Sequence, residues 1–260
     1  MQHSTLYTLV FAAAVCVVAG VLVSTSAVTL ADRQIMNAAI EKQKNVLLAA
    51  GLIKSDGKVT HTEIHERFQA VEPVVVDLET DEPVEDVDVS TYDQHAALKD
   101  PTLSEPAPPN NAGIKRLPNR ALVYQVRDDS GEVQMLVLPI EGLGLWGTLF
   151  GFLALDADTT TIRGLAYYQH KETPGLGGEV DNPNWRALWT GRHAYDESWE
   201  PKVEVIKGAA GPPAEDPYRV DGLSGATITS RSVTHMIHFW LGEHGFGPYL
   251  ENLRERRRES

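Results

Sequence analysis

Residues 122–169 read LVYQVRDDSGEVQMLVLPIEGLGLWGTLFGFLALDADTTTIRGLAYYQ, a series of apolar runs separated by short polar turns. The runs are rich in Val, Leu, Ile, Tyr and Trp, which favour β-strands, and sequences such as Asp-Asp-Ser-Gly are typical of turns. Four strands are therefore predicted, over Leu122–Arg127, Val133–Ile140, Leu145–Leu155 and Thr161–Gln169. Successive strands joined by such short turns are expected to pair mainly antiparallel.

Helical patterns follow these strands. Apolar residues at i, i+3, i+4, i+7 and i+8 predict an amphipathic final helix that ends near Gly242. These residues are Val233, Met236, Ile237, Trp240 and Leu241. A short helix starting at Asn182-Pro183 and a strand over Val203–Lys207 are predicted before it. Strands followed by helices indicate an α+β domain with flanking helices, over residues 119–260, rather than a doubly wound α/β fold.

The N-terminus is apolar. No Asp, Glu, Lys or Arg occurs before Asp32, and Leu6–Val23 is almost uniformly apolar. At about 1.5 Å per residue, a helix over residues 6–30 exceeds the ~30 Å hydrocarbon core, so one transmembrane anchor helix is predicted. A cleaved signal peptide is the alternative, but a basic n-region is missing. The basic residues that follow the span would place the domain in the cytoplasm, by a rule that is weak for large translocated domains.

Residues 32–118 are predicted to form membrane-proximal helices and an acidic, proline-rich segment. Thr60-His-Thr-Glu63 has the spacing of a capping box and opens a short helix. Between Glu72 and Asp93 every charge is acidic, and a proline-rich stretch follows. The acidic stretch could recruit cations, but a solvated, self-repelling loop explains it better. The basic run 254–258 is likewise expected to be a solvated chain end.

Composition and motifs exclude several functions. A formal charge of −13 disfavours binding to nucleic-acid phosphates, and a single cysteine cannot build a disulfide framework or a cysteine-rich metal site. Gly142–Gly147 matches G-x-G-x-x-G, but the strand that follows it excludes a dinucleotide-binding fingerprint. His61 and His65 have zinc-binding spacing without a third ligand. No catalytic residue and no metal site are predicted.

Two glycine-containing loops remain. The first, His170–Gly178, follows a strand, and the second, Asp221–Ser230, precedes the final helix. Taken singly, the first is explained as a turn and the second as helix capping. The small residues of the second loop would also let the backbone approach a ligand, and a helix N-terminus attracts phosphate. Thr227 would then lie in an anion site and could accept a phosphoryl group, with Thr229 and Ser230 as further donors.

Taken together, the two loops resemble a known family. DGLSGATIT over Asp221–Thr229 and ETPGLGG over Glu172–Gly178 are similar to the FMN-binding domain in the C subunits of sodium-pumping NADH:quinone reductases. The resemblance covers most of the chain, including the N-terminal span, Gly144-Leu-Trp-Gly147, Ile206-Lys-Gly208 and the Phe239-Trp-Leu-Gly242 ending. Several motifs in the same order are more specific than either loop alone.

The resemblance implies a covalently bound FMN. In the family, the threonine of S-G-A-T, here Thr227, carries FMN through a phosphoester bond made by a separate flavin transferase that uses FAD. The residues that match the family's flavin contacts are Leu145, Trp146, Thr173, Leu176, Gly177, Lys207, Leu223 and Ser224. Lys207 is expected to neutralise the phosphodiester, Trp146 and Leu176 to shield the ring, and Gly177 to allow close approach.

The resemblance also implies a role in electron transfer. The chain would be a subunit of a membrane Na+-translocating NADH:ubiquinone reductase. It would relay electrons from the NADH-side subunits to a second covalent FMN on the way to ubiquinone, and it would have no NADH site. Its partners would be subunits A, B, D, E and F, the flavin transferase, and membrane lipid through the N-terminal helix. The flavin domain would lie on the periplasmic side of a bacterial inner membrane, against the positive-inside rule.

Two alternatives stay open. The G subunit of the Rnf electron-transport complex shares S-G-A-T, although the segment Glu72–Asn111, the Gly142–Leu155 core and the C-terminal motif favour the quinone reductase. A non-redox assembly subunit with an unmodified Thr227 is the other alternative.

Overall fold

The computed structural model describes residues 4–54, 57, 59–89, 91–128 and 130–259. Its helices are α1 (Thr5–Ala49), α2 (His61–Phe68), α3 (Gln94–Ala97), α4 (Pro183–Ala187), α5 (Thr227–Leu241) and α6 (Gly247–Glu259). Its strands are β1 (Val71–Asp77), β2 (Ser104–Pro106), β3 (Arg116–Pro118), β4 (Arg120–Arg127), β5 (Val133–Leu143), β6 (Thr148–Asp156), β7 (Ile162–Gln169), β8 (Glu204–Val205) and β9 (Arg219–Val220). An apolar N-terminal helix followed by an antiparallel sheet with helices confirms the predicted α+β class.

The N-terminal helix α1 extends beyond the apolar segment. Thr5–Ala31 is long and apolar enough to cross a membrane, with a mean hydropathy of 2.6. The helix ends at Ala49, and Gly51, two residues later, adopts a left-handed conformation with φ of +70°. The N–H of Gly51 donates to Leu48 O at 3.2 Å and that of Leu52 to Leu47 O at 2.9 Å, the bonding pattern of a Schellman cap. The chain divides into two compact units, residues 1–42 and 43–260.

The second unit is built on a five-stranded antiparallel sheet in the order β1-β4-β5-β6-β7. Side chains alternate between its two faces, and both faces are covered. On one face, a Cβ added to Gly142 would lie 2.8 Å from the Met236 Cβ of α5. On the other, a Cβ added to Gly164 would lie 2.5 Å from the Ala49 carbonyl oxygen of α1. Glycine at both positions therefore lets a helix approach the sheet closely.

The four predicted strands are confirmed as β4 to β7, with shifted ends. The third begins at Thr148 because Gly144 donates its N–H to Gly147 O at 2.8 Å and closes a tight turn. The strand predicted over Val203–Lys207 is only β8, which pairs parallel with β9. The predicted short helix is α4. The helix predicted to be final is α5, which ends at Leu241 with Gly242 as its C-cap residue, but it is not final because α6 follows.

The acidic stretch is not simply a solvated loop, as the sequence predicted. Its first part is β1, which pairs with β4 from Val71 to Asp77 and buries Val75 and Val76 completely. For residues 72–77 the interpretation was wrong, because burial of the valines outweighs repulsion between acids at the strand ends, whereas the described residues from 78 to 93 lie in turns and loops. Glu72, for example, pairs with Arg127 at 2.5 Å. The domain boundary predicted at residue 119 stays a prediction. The edge strand β1 of the sheet comes from the segment before that boundary.

The basic chain end is likewise ordered. It forms the second half of α6, where the Arg254 guanidinium carbon lies 3.8 Å from the centroid of the Trp199 ring. Arg256 Nη2 lies 2.5 Å from Glu82 Oε1. The predicted solvation is confirmed for Arg256, Arg257 and Arg258, which are exposed. The sequence did not predict the helix, in which Arg254 lies over an aromatic ring distant in sequence.

The end of α1 belongs to the core of the second unit, and truncation tests this. A fragment that starts at Asp32 keeps Val46 and Leu47, both fully buried, and is expected to be soluble and folded. A fragment that starts at Gly51 lacks both side chains, which together contribute roughly 3–6 kcal/mol of burial. Urea unfolding followed by circular dichroism should show a much less stable domain. Equal stability of the two fragments would contradict this packing.

Candidate cofactor-binding site

The loop Asp221–Thr229 leads into an α5 that begins without a side-chain cap. Gly225 has φ of +70°, and Ala226 occupies the N-cap position. In the described part of the chain, the backbone N–H groups of residues 227–229 have no acceptor. Helix capping by Ser or Thr, one explanation of this loop, therefore does not occur. Open N–H groups at a helix N-terminus form a site for an anion.

Three hydroxyl groups follow at the start of α5, and only one of them faces solvent. Thr227 is exposed. Thr229 is fully buried, and its hydroxyl donates to Glu172 Oε2 at 2.6 Å. Ser230 is 5% exposed, and its Oγ accepts the N–H of Leu223 at 3.0 Å. The Thr229 hydroxyl already donates to Glu172, so it is not available to an anion as the sequence predicted. Ser230 lines the cavity described below and only accepts a hydrogen bond, so its role as a donor stays a prediction.

A cavity of about 750 Å³ opens beside Thr227. Lys207 lies in its wall because β8 runs parallel to β9 and the pairing continues past both strands, with Ile206 N–H donating to Val220 O at 2.9 Å. Gly222 N–H donates to Gly208 O at 2.9 Å, which brings the two loops together. The cavity thus joins four residues that the sequence predicted as cofactor contacts, and they are Lys207, Leu223, Ser224 and Thr227.

The walls of the cavity carry charges of both signs. Lys207 and Arg231 are basic, and Glu204 and Asp221 are acidic. Asp221 Oδ1 is already bonded to the N–H of Ala210 at 2.8 Å. Arg231 follows Thr227 by four positions, so both lie on one face of α5. Two cations and an open helix N-terminus suit a phosphate group.

Apolar side chains lie exposed on the neighbouring loops. Leu145, Trp146 and Leu176 are 47%, 65% and 44% exposed. Leu176 lies against the second loop, since a Cβ added to Gly225 would be 2.9 Å from Leu176 Cδ2. Exposed apolar groups beside an anion site fit a ligand with a phosphate and an aromatic ring.

The first loop supplies the two remaining predicted residues. Thr173 is exposed, and its carbonyl oxygen accepts the N–H groups of Leu176 at 3.1 Å and Gly178 at 2.9 Å. Gly177 is buried, and a Cβ there would lie 2.6 Å from Thr229 Oγ1. Gly177 therefore lets the first loop pack closely against the start of α5. The sequence had predicted that Gly177 allows close approach to a ligand, and that role stays a prediction.

One residue that the sequence analysis left without a role connects these segments. Glu172 is 5% exposed, and its Oε1 accepts the N–H of Trp146 at 2.9 Å while Oε2 accepts the hydroxyl of Thr229. A Cβ added to Gly144 would lie 2.6 Å from Oε1. The acidic residue directly before the glycine-containing loop was the only signal in the sequence for this role. Its partners, Trp146 and Thr229, are distant in sequence, so the local pattern could not show them.

Comparison with known proteins identifies the family. Residues 144–242 match the family model described as FMN-binding domain. The Na(+)-translocating NADH-quinone reductase C subunit of Yersinia pestis is 42% identical over 251 residues, which cover 95% of this chain and 92% of that protein. Its counterpart in Pseudomonas aeruginosa is 44% identical over 258 residues, which cover 98% of both. The chain belongs to this family of C subunits.

A solved structure agrees with this assignment. The crystal structure of Shewanella oneidensis NqrC matches with a TM-score of 0.76 at 34% identity, covering 83% of this chain and 97% of that chain. The resemblance to the C subunits inferred from the two loops is thus confirmed. The matched FMN-binding domain spans every residue predicted to contact the cofactor. Their individual roles stay predictions.

The contact between Gly177 and the Glu172–Thr229 hydrogen bond can be tested in the protein without cofactor. In Gly177→Ala, the new methyl group would displace the Thr229 hydroxyl and leave a buried carboxylate oxygen unsatisfied. We expect the free energy of unfolding to fall by about 1–3 kcal/mol in chemical denaturation. Gly147→Ala is the matched control, since its Cβ would meet the flexible Lys171 side chain at 3.1 Å and should have little effect. Equal stability of the two variants would contradict the proposed steric role.

Proposed function

We propose that this chain is an electron-transfer subunit of a membrane Na+-translocating NADH:ubiquinone reductase and carries FMN on Thr227 through a phosphoester bond. One observation carries the assignment of the residue. Thr227 is an exposed residue at an uncapped helix N-terminus, whereas Thr229 and Ser230 are buried and their hydroxyl groups are hydrogen-bonded. Names of relatives that cover nearly the whole chain support the assignment of the complex.

The residues around Thr227 fit FMN. The open N–H groups of α5, with Lys207 and Arg231, would hold the phosphodiester, and Leu223 and Ser224 would line the same cavity. Leu145, Trp146 and Leu176 would cover apolar parts of the ring, and Thr173 and Gly177 would shape the loop beside it. When bound, FMN supplies reversible redox chemistry. The protein's contribution is to bind, orient and shield it.

Attachment requires a phosphoryl transfer to Thr227. Thr227 Oγ1 forms a bond to the flavin-side phosphorus of FAD, and the bond from that phosphorus to the bridging oxygen breaks. AMP leaves with the bonding electrons, and the hydroxyl proton passes to a base on the flavin transferase. The open N–H groups and Lys207 would stabilise the negative charge that develops on the phosphoryl oxygens.

In the assembled complex, the chain would relay electrons from the NADH-side subunits to a second covalent FMN and on to ubiquinone. It would contact subunits among A, B, D, E and F and would be anchored in lipid by residues 6–30. We place the flavin domain on the periplasmic side of the inner membrane. A C-terminal reporter that is active only in the cytoplasm should stay silent, and its activity would refute this orientation.

Replacement of Thr227 tests the site. Co-expressed with the flavin transferase, Thr227→Val should carry no covalent flavin, because it keeps the β-branched shape and lacks the oxygen. Thr227→Ser keeps an oxygen at the same place and should retain flavin. Fluorescence of the band after denaturing electrophoresis measures the attachment, because only covalent flavin stays on the chain.

Mass spectrometry gives a second measurement. The FMN adduct should lie on the tryptic peptide 220–231, which ends at Arg231 and contains Thr227. Full fluorescence of Thr227→Val, or an adduct on Thr229, would refute the site. A dark band for the unaltered chain co-expressed with the transferase would instead favour an assembly subunit with unmodified Thr227.

A further inference from the structure

The Glu172 carboxylate is buried without a counter-charge. It is 5% exposed, and no basic side chain pairs with it among the residues that the structure describes. Burying an unpaired carboxylate normally costs several kcal/mol, unless hydrogen bonds satisfy it. Here both oxygens accept hydrogen bonds, from Trp146 N–H and the Thr229 hydroxyl. Both partners donate hydrogen bonds, and both oxygens of a carboxylate can accept them. The amide of a glutamine at this position would offer only one accepting atom, so a carboxylate matches these partners better.

Its position at the start of α5 gives a further reason for the charge. Thr229 is the third residue of the helix, so the carboxylate lies close to the positive end of the helix dipole. The hydrogen bond anchors the first turn through a side chain and leaves the N–H groups of residues 227–229 open. An ordinary N-cap residue would use one of these groups and reduce the anion site.

We propose that Glu172 is a positioning residue for flavin attachment. It fixes the first turn of α5 to the Trp146 loop, so that Thr227 and the open N–H groups form one preorganised acceptor site. The inference rests on the proposed function, since it assumes that Thr227 is the residue modified. Glu172 acts through Thr229 and Trp146 rather than by contact with the reacting atoms.

The first measurement uses the full-length chain without cofactor. Hydrogen exchange at the α5 start should become faster in Glu172→Gln and Thr229→Val at the bonded N–H groups of Leu223, Ala226 and Ser230. Exchange in β4 to β6 should stay unchanged. Glu172→Gln keeps the side-chain shape and one acceptor. Glu179→Gln is the matched control, because Glu179 lies in a short 3-10 helix, Gly177–Asp181, that follows Glu172. Its Oε2 bonds only to Asn182 Nδ2, at 2.6 Å, in the described part of the chain. Faster exchange throughout the sheet, or no change at these three N–H groups of the α5 start, would overturn the proposal.

The second measurement is the initial rate of covalent flavin loading by the transferase. Removal of hydrogen bonds to a charged group should slow loading about tenfold in Glu172→Ala and in Thr229→Val. The double variant should be no slower than the slower single variant, because both act through one interaction. Glu172→Gln should be intermediate, and Glu179→Gln should load like the unaltered chain.

The possible results are distinguishable. Loading of Glu172→Ala at the normal rate, or strictly multiplicative effects in the double variant, would overturn the positioning role. Should Glu172→Ala fail to fold, Glu172→Gln and Thr229→Val decide the matter by the same criteria. Covalent flavin on the Thr227→Val variant would refute the proposed attachment site. The hydrogen-exchange measurement would still test whether Glu172 anchors the start of α5.

Discussion

The two hydrogen bonds of the buried Glu172 carboxylate are the constraint on which the site depends. They join Glu172 to Trp146, 26 positions earlier in the chain, and to Thr229, 57 positions later. A buried carboxylate is tolerated only when its oxygens are satisfied, so the three segments must meet in one arrangement. Gly144 and Gly177 are part of the same constraint, because a side chain at either position would collide with the carboxylate or its partner.

Two helices of this chain that begin near a threonine show how local chemistry depends on context. At α2, Thr60 Oγ1 accepts the N–H of Glu63 at 3.3 Å, and Glu63 Oε2 accepts the N–H of Thr60 at 2.8 Å. This capping box satisfies the helix end locally. At α5 the first turn is anchored from the side by Thr229 instead, and its N–H groups remain open. One arrangement completes a helix, and the other prepares a binding site.

The sheet positions these loops through contacts distant in sequence. Trp240 Nε1 donates to Glu141 O at 2.8 Å, which joins α5 to the end of β5 just before the Trp146 turn. Trp185 Nε1 donates to Asp221 O at 2.8 Å, which fixes the start of the second loop. The loops that carry the predicted binding residues are therefore fixed by long-range hydrogen bonds. A small displacement of either loop would move the cavity walls away from Thr227.

The sequence by itself determined the strands β4 to β7, the apolar N-terminal helix, the capping box and the family, because these depend on local periodicity and on motifs in order. It also predicted Thr227 as the attachment residue, but through the resemblance rather than through geometry. Only the tertiary structure distinguished Thr227 from Thr229 and Ser230, turned part of the acidic stretch into an edge strand, and gave Glu172 a role. In each case the deciding quantity was burial, or a hydrogen bond between residues distant in sequence. Neither is encoded in the local pattern around a residue, because both depend on which segments the folded chain brings together.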